Sequence, residues 1–174
     1  IQTDYNLVDT EEKRKKLIKT LLEQKEICFD TETTSLNPHE SELVGISFTF
    51  ENKQAYYIPF PKDQGETQAI IDEFKPVLEN EDIIKIGQNI KYDLIVLRNY
   101  KIHVKGILFD TMIAHYLLYP EQKHNLDYLA ENYLNYQTIS IEKLIGKKGK
   151  NQGNMRDVPI DKILNYACED SDIT

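Results

Sequence analysis

Ile83-Ile-Lys-Ile-Gly-Gln-Asn-Ile-Lys-Tyr-Asp-Leu-Ile-Val-Leu-Arg-Asn-Tyr100 changes its hydrophobic period part-way along. Ile83 to Ile86 is a short apolar run suited to a strand, and Gly87-Gln-Asn89 reads as a turn with Asn89 as helix cap. Ile90, Leu94 and Leu97 then share one helical face up to Tyr100. A strand feeding straight into a helix is the unit of an α/β domain, and the flanking sequence repeats it. Downstream, Ile107 to Phe109 reads as a buried strand end and Asp110 as the cap of a helix running to Leu118. Upstream, Gln68 to Leu78 is helical in period, with Pro76 shortening or kinking its last turn.

Further out, Glu26 to Glu32 is a strand preceded by a surface helix over 11–22. Leu43 to Phe50 and Ala55 to Ile58 form a hairpin around Glu51-Asn-Lys-Gln54. Leu126, Leu129, Ala130, Tyr133 and Leu134 follow a helical pattern from Asn125, and Ser140 caps a short helix ending near Gly146. Gly146 to Asn154 has too few apolar residues to pack and reads as a loop. The last helix has Pro159 in its first turn, Asp157 as cap, and Ile160, Ile163, Leu164 and Ala167 as its buried stripe.

With 174 residues, 40% of them hydrophobic, the chain can bury about two-thirds of its unfolded surface, enough for one compact domain. It begins at Ile1 and ends at Thr174 inside a helical pattern, so it reads as a single domain, 1–174, cut from something longer. No apolar run approaches a membrane span, and Cys28 and Cys168 suit reduced core thiols, which together predict a cytoplasmic protein with no membrane partner. The net charge of −8 excludes broad, basic-surface binding of nucleic acid and leaves only local contact. Lys147, Lys148, Lys150 and Arg156 read first as a solvated loop run, with a local phosphate-contacting loop as the alternative. His39, His103, His115 and His124 have no mutual spacing that suggests a metal site and read as unrelated surface or packing residues.

The chemistry sits in three acidic segments: Asp30 and Glu32 in Ile27-Cys-Phe-Asp-Thr-Glu-Thr-Thr34, Asp93 in Gly87 to Asp93, and Asp170 in Tyr166-Ala-Cys-Glu-Asp170. Residues two apart on a strand face the same way, so Asp30 and Glu32 form a pair and Thr31 points oppositely. Residues four apart on a helix are neighbours, which sets Tyr166 beside Asp170. On the helical wheel Asp170 borders the apolar stripe, whereas Glu169 and Asp172 point further towards solvent. Four carboxylates gathered in one site repel and resist ionisation unless cations neutralise them. Oxygen ligands without nearby histidine or cysteine favour Mg²⁺ or Mn²⁺. Two such ions can activate a water and stabilise a leaving oxygen at a phosphate, with a neutral phenol orienting the water.

These motifs, in this order, resemble the 3′-to-5′ exonuclease superfamily that uses four acidic residues and a tyrosine in its third motif, and within it the proofreading domain of bacterial DNA polymerase I. The resemblance runs through Asp30-Thr-Glu-Thr-Thr-Ser-Leu36, Leu43-Val-Gly-Ile-Ser-Phe48, Tyr57-Ile-Pro59, Gly87 to Asp93, Phe109-Asp-Thr-Met112 and Tyr166 to Asp170, nearly the whole chain. It implies an RNase H-like fold with a mixed, mostly five-stranded sheet flanked by helices. It also implies removal of nucleoside monophosphates from the 3′ end of single-stranded DNA, in the service of a polymerase domain of the same parent chain. In cells such a protein works at the bacterial nucleoid, and the isolated domain is expected to be monomeric.

By residue, the resemblance assigns Asp30, Glu32 and Asp170 to one of two divalent cations, with Asp30 bridging to the second and Asp93 holding that one directly or through water. Tyr166 orients the water. Thr33, Leu36, Gln88 and Asn89 meet the DNA, Leu36 as a wedge at the terminal base. Thr34 and Asn165 depart from residues common in the family, but all four carboxylates and the tyrosine are present. Two other readings compete: an RNA-trimming exonuclease of the same superfamily, and a catalytically silent module that braces a polymerase. Taken singly, Asp30 and Glu32 would be a strand-end pair facing water, Asp93 a helix-surface acid and Leu36 a packing residue.

Overall fold

The computed structural model describes residues 2–149 and 151–174. Its strands are β1 (Asp4–Leu7), β2 (Glu26–Thr33), β3 (Leu43–Glu51), β4 (Gln54–Pro59), β5 (Ile84–Gly87) and β6 (Leu108–Asp110). They form one six-stranded sheet in the order β1-β4-β3-β2-β5-β6. The β3–β4 hairpin and β2 run antiparallel, whereas β5, β6 and β1 add in parallel, so the sheet is mixed. The sixth strand is β1 at the edge, where a short, half-polar segment has no period to announce it. Its pairing with β4 is tertiary.

Helices cover both faces. On one side α1 (Glu11–Leu22), α2 (Gln64–Glu73), α3 (Lys75–Leu78) and α4 (Lys91–Asn99) bury Leu17, Leu21, Ile71, Phe74, Val77 and Leu97 against Phe29, Ile46 and Phe48. On the other, α8 (Ile160–Ile173) lays Ile163, Ala167 and Cys168 over Val44, Ala55 and Tyr57. Two-sided cover explains why β3 is buried along most of its length and does not alternate with water. Cys28 and Cys168 are free and buried. No helix among the described residues is long and apolar enough to cross a membrane.

Several local expectations change. The 68–78 helix is two helices: α2 starts earlier, capped by Asp63, and the chain breaks at Phe74 so that Pro76 opens α3. Asn89 is not the cap of α4; it sits in the left-handed region at φ 57°, and the cap residue is Ile90. Asp157 falls in a 3₁₀ turn (Met155–Asp157), leaving α8 without a side-chain cap. Ile107 to Phe109 is exposed rather than buried. The helix α5 (Thr111–Leu118), a short α6 (Leu126–Leu129) and the π segment Ala130–Leu134 likewise leave Leu117, Leu118, Tyr133 and Leu134 exposed. The short helix α7 (Glu142–Ile145) follows, with Ile141 and not Ser140 at its cap.

A β-bulge lies beside Glu32, where the β2–β3 register shifts between Glu32 opposite Gly45 and Thr33 opposite Leu43. Gly45 is required there, because a Cβ would fall inside the Tyr57 ring. Gly45→Ala should therefore destabilise the fold by about 1–3 kcal/mol, the usual cost of overpacking. Urea unfolding checks this, and an unchanged midpoint would show that the ring moves freely.

Candidate active site

The central strand β2 delivers the first two acids. Asp30 and Glu32 project towards α8, while Phe29 and Thr31 face the α4 side. Asp170, near the end of α8, completes a group in which one carboxylate oxygen of each of the three lies within 4.8 Å of the others. Glu32 Oε1 is buried with no hydrogen-bond partner. An orphaned buried acceptor beside two further carboxylates is a set of hard oxygen donors that fits a divalent cation.

Asp93 stands apart from this trio. It is buried in the first turns of α4, and its Oδ1 accepts the Thr31 backbone N–H at 3.0 Å and the Thr31 hydroxyl at 2.5 Å. Thr31, on the face of β2 opposite Asp30 and Glu32, thus fixes one oxygen of the fourth acid.

Burial, then Asp93, Glu32 and Asp170, pushes the Asp30 carboxyl well above its usual range, and burial followed by Asp170 and Asp93 does the same to Glu32. Burial lifts Asp170 to about 7. Asp93 also rises to about 7 through burial, although its Thr31 bonds pull the other way. The Tyr166 phenol is driven upward by burial and by Asp170, Glu32 and Asp30, so it keeps its proton. These are the signs of acids packed together more closely than their own charge favours.

A cleft of about 490 Å³ holds the constellation. Asp30, Glu32, Asp93, Tyr166 and Asp170 line it, as do Thr33, Leu36, Gln88 and Asn89. Leu36 is 81% exposed, which overturns its reading as a packing residue. Tyr92, Ile141, Ile145, Gln152, Asn154 and Met155 also line the cleft and were not expected from the sequence. Tyr92 could have been found as the neighbour of Asp93: its hydroxyl meets Thr33 Oγ1 at 2.5 Å and Ser41 Oγ at 3.1 Å and donates to Ser35 O.

Two residues read as solvated are structural. Glu169 is 3% exposed and accepts from Tyr136 Oη and Ile139 N, each at 2.6 Å, tying the segment that leads to Ile141 onto α8. Arg156 donates to the carbonyls of Pro61 at 3.1 Å and Leu43 at 2.9 Å, and so belongs to the scaffold and not to a phosphate loop. Lys150 lies outside the described residues. His115 and His124, treated as unrelated, meet Nδ1 to Nδ1 at 2.6 Å.

A family model described as 3′-5′ exonuclease matches residues 5–174. DNA polymerase I of Pseudomonas aeruginosa is 35% identical over 182 residues, covering 99% of this chain and 20% of that protein. DNA polymerase I of Borreliella burgdorferi is 36% identical over 184 residues, covering 98% and 20%. The chain thus spans about a fifth of the length of these curated relatives. Among solved structures, Escherichia coli RNase D aligns with a TM-score of 0.73 at 18% identity, over 98% of this chain and 42% of that one. Brucella melitensis NrnC with bound Mg²⁺ gives 0.71 at 21%, over 99% and 76%. At these identities the two share the fold, which is RNase H-like.

Proposed function

The chain belongs to the 3′-5′ exonuclease family carried by bacterial DNA polymerase I, and on that premise we propose that it hydrolyses the last phosphodiester of a single-stranded or frayed DNA 3′ end, editing for a polymerase domain of the same parent chain. The observation that carries the reading is the convergence of the Asp30, Glu32 and Asp170 oxygens within 4.8 Å, in a cleft shared with Asp93 and Tyr166.

Asp30, Glu32 and Asp170 would hold one divalent cation, Mg²⁺ or Mn²⁺, and Asp30 with Asp93 a second. When bound, such ions neutralise the phosphate and make water a nucleophile at neutral pH. The chain's own residues supply the rest. Tyr166 keeps its proton and offers a hydroxyl beside Asp170 to orient the attacking water, and Thr31 holds Asp93 in one rotamer. Thr33, exposed Leu36, Gln88 and Asn89 receive the strand, with apolar contact tolerating any base. Selectivity for errors follows from melting, since a mismatched end unpairs at lower cost.

The test is a 5′-labelled oligonucleotide with purified protein and Mg²⁺ or Mn²⁺. Single-stranded DNA should shorten stepwise from its 3′ end with release of mononucleotides, and a 3′-mismatched duplex should shorten faster than a matched one. DNA left intact would sink the reading. Faster trimming of the matched RNA would replace it with the RNA-processing alternative.

A further inference from the structure

Phe109-Asp-Thr-Met112 is prominent in the sequence yet holds none of the carboxylates or the tyrosine of the reaction. Asp110 ends β6, and its carboxylate accepts four backbone N–H groups from two helix starts. Those of Asn89 and Ile90 lie at 3.1 and 3.0 Å ahead of α4; those of Met112 and Ile113 lie at 2.9 and 3.3 Å in the first turn of α5. The next hydroxyl, Thr111 Oγ1, donates to Gln88 Oε1 at 2.5 Å and lies 3.3 Å from Gly87 O. Gln88 Nε2 in turn donates to His124 O at 2.7 Å. Between these anchors Asn89 adopts a left-handed φ of 57°, a conformation that asparagine tolerates better than most residues with a side chain.

We infer that Asp110 and Thr111 are positioning residues for the substrate strand: together they clamp the Gly87–Ile90 turn and present the Gln88 amide to the cleft in one orientation. This rests on the proposed role of Gln88 and Asn89 as strand contacts. A primary amide has two N–H donors and two lone pairs. His124 O occupies one donor and Thr111 one lone pair, so Gln88 keeps one of each for the strand and is already held when the strand arrives. Pre-orientation of this kind acts on binding. None of the hydrogen bonds of Thr111 reaches Asp30, Glu32, Asp93 or Asp170, so its loss should weaken binding and spare the chemical step.

The variants are Thr111→Val, which keeps the shape without the hydroxyl, and Thr111→Ser, which returns it. With single-stranded DNA, Thr111→Val should raise KM roughly three- to tenfold, the range of one neutral hydrogen bond, with kcat nearly unchanged. Thr111→Ser should restore KM. In a Gln88→Ala background Thr111→Val should have no further effect, because the two act as one unit. Binding of a fluorescent oligonucleotide should weaken in parallel. Asp110→Asn, which puts a donor where an acceptor is needed, should raise KM as well and lower the melting temperature. An active enzyme whose KM and binding ignore Thr111→Val, or respond equally with and without Gln88, overturns the clamp alone. A wild-type chain that binds the oligonucleotide with the expected Thr111 dependence but never shortens it keeps the clamp and sinks the proposed function.

Discussion

Asp30→Asn should abolish nuclease activity and, in the same protein, raise the melting temperature measured in a chelator at pH 8. If Asp30 holds the cation as proposed, its loss would forfeit several kcal/mol of charge stabilisation at the phosphate, equivalent to roughly a thousandfold in rate. The stability gain has a separate origin. Without metal, half-buried Asp30 is crowded by Asp93, Glu32 and Asp170, each of which disfavours its charge. Two unit charges about 4 Å apart at an effective dielectric near 20 repel by about 4 kcal/mol, and partial protonation relieves much of that, leaving a gain of about 1–2 kcal/mol for the neutral amide. Thermal unfolding in chelator, paired with the oligonucleotide assay, reads both effects. A lower melting temperature than wild type would mean that Asp30 serves the fold, and the electrostatic account of the site would be wrong. Sites whose function needs a strained ground state commonly trade stability for activity in this way.

Lowering the pH should stabilise the metal-free protein across the range where most proteins change little. Asp93 and Asp170 are raised to about 7, and Asp30 and Glu32 lie well above their ordinary values; in the unfolded chain all four return to about 4. Between about pH 4 and 7 the folded state therefore binds more protons than the unfolded one, and stability falls as pH rises through that window. Each tenfold difference in proton affinity corresponds to about 1.4 kcal/mol, so the site as a whole moves stability by several kcal/mol. Mg²⁺ or Mn²⁺ should recover the loss at pH 8 and add little at pH 5, where protons already occupy the carboxylates. Melting temperatures over that range, with and without metal, check the sign. A metal-free curve that is flat or rises with pH, with no response to Mn²⁺, would show that these acids are not coupled in one site.

Much of this was legible in the residues because it depends on short spacings. The period of two that pairs Asp30 with Glu32, and the period of 3.6 that sets Tyr166 beside Asp170, need no knowledge of the rest of the chain. The strand-to-helix change at Gly87 placed Asp93 in α4 for the same reason. What escaped was decided by distant partners. Asn89 looked like a helix cap, yet the acceptor for that helix start is Asp110, twenty-one residues from Asn89. Glu169 points outward on an isolated wheel and is buried only because Tyr136 and Ile139 close over it. The His115–His124 pair bridges two segments whose mutual approach no local period encodes. The α5 residues followed a helical pattern faithfully, but periodicity reports an apolar face and not whether anything covers it.

That uncovered face sets a practical limit. Leu117, Leu118, Tyr133 and Leu134 are exposed, and at neutral pH a net charge of −8 keeps copies of the chain apart. The same charge vanishes near the isoelectric point, about 5.0. The acidity at which the carboxylate site relaxes is therefore also the acidity at which colloidal repulsion fails and greasy surfaces meet. Without metal, the folded molecule should be most secure against unfolding where a solution of it is least secure against precipitation, so the shelf life of the metal-free protein should peak at a compromise pH between the two.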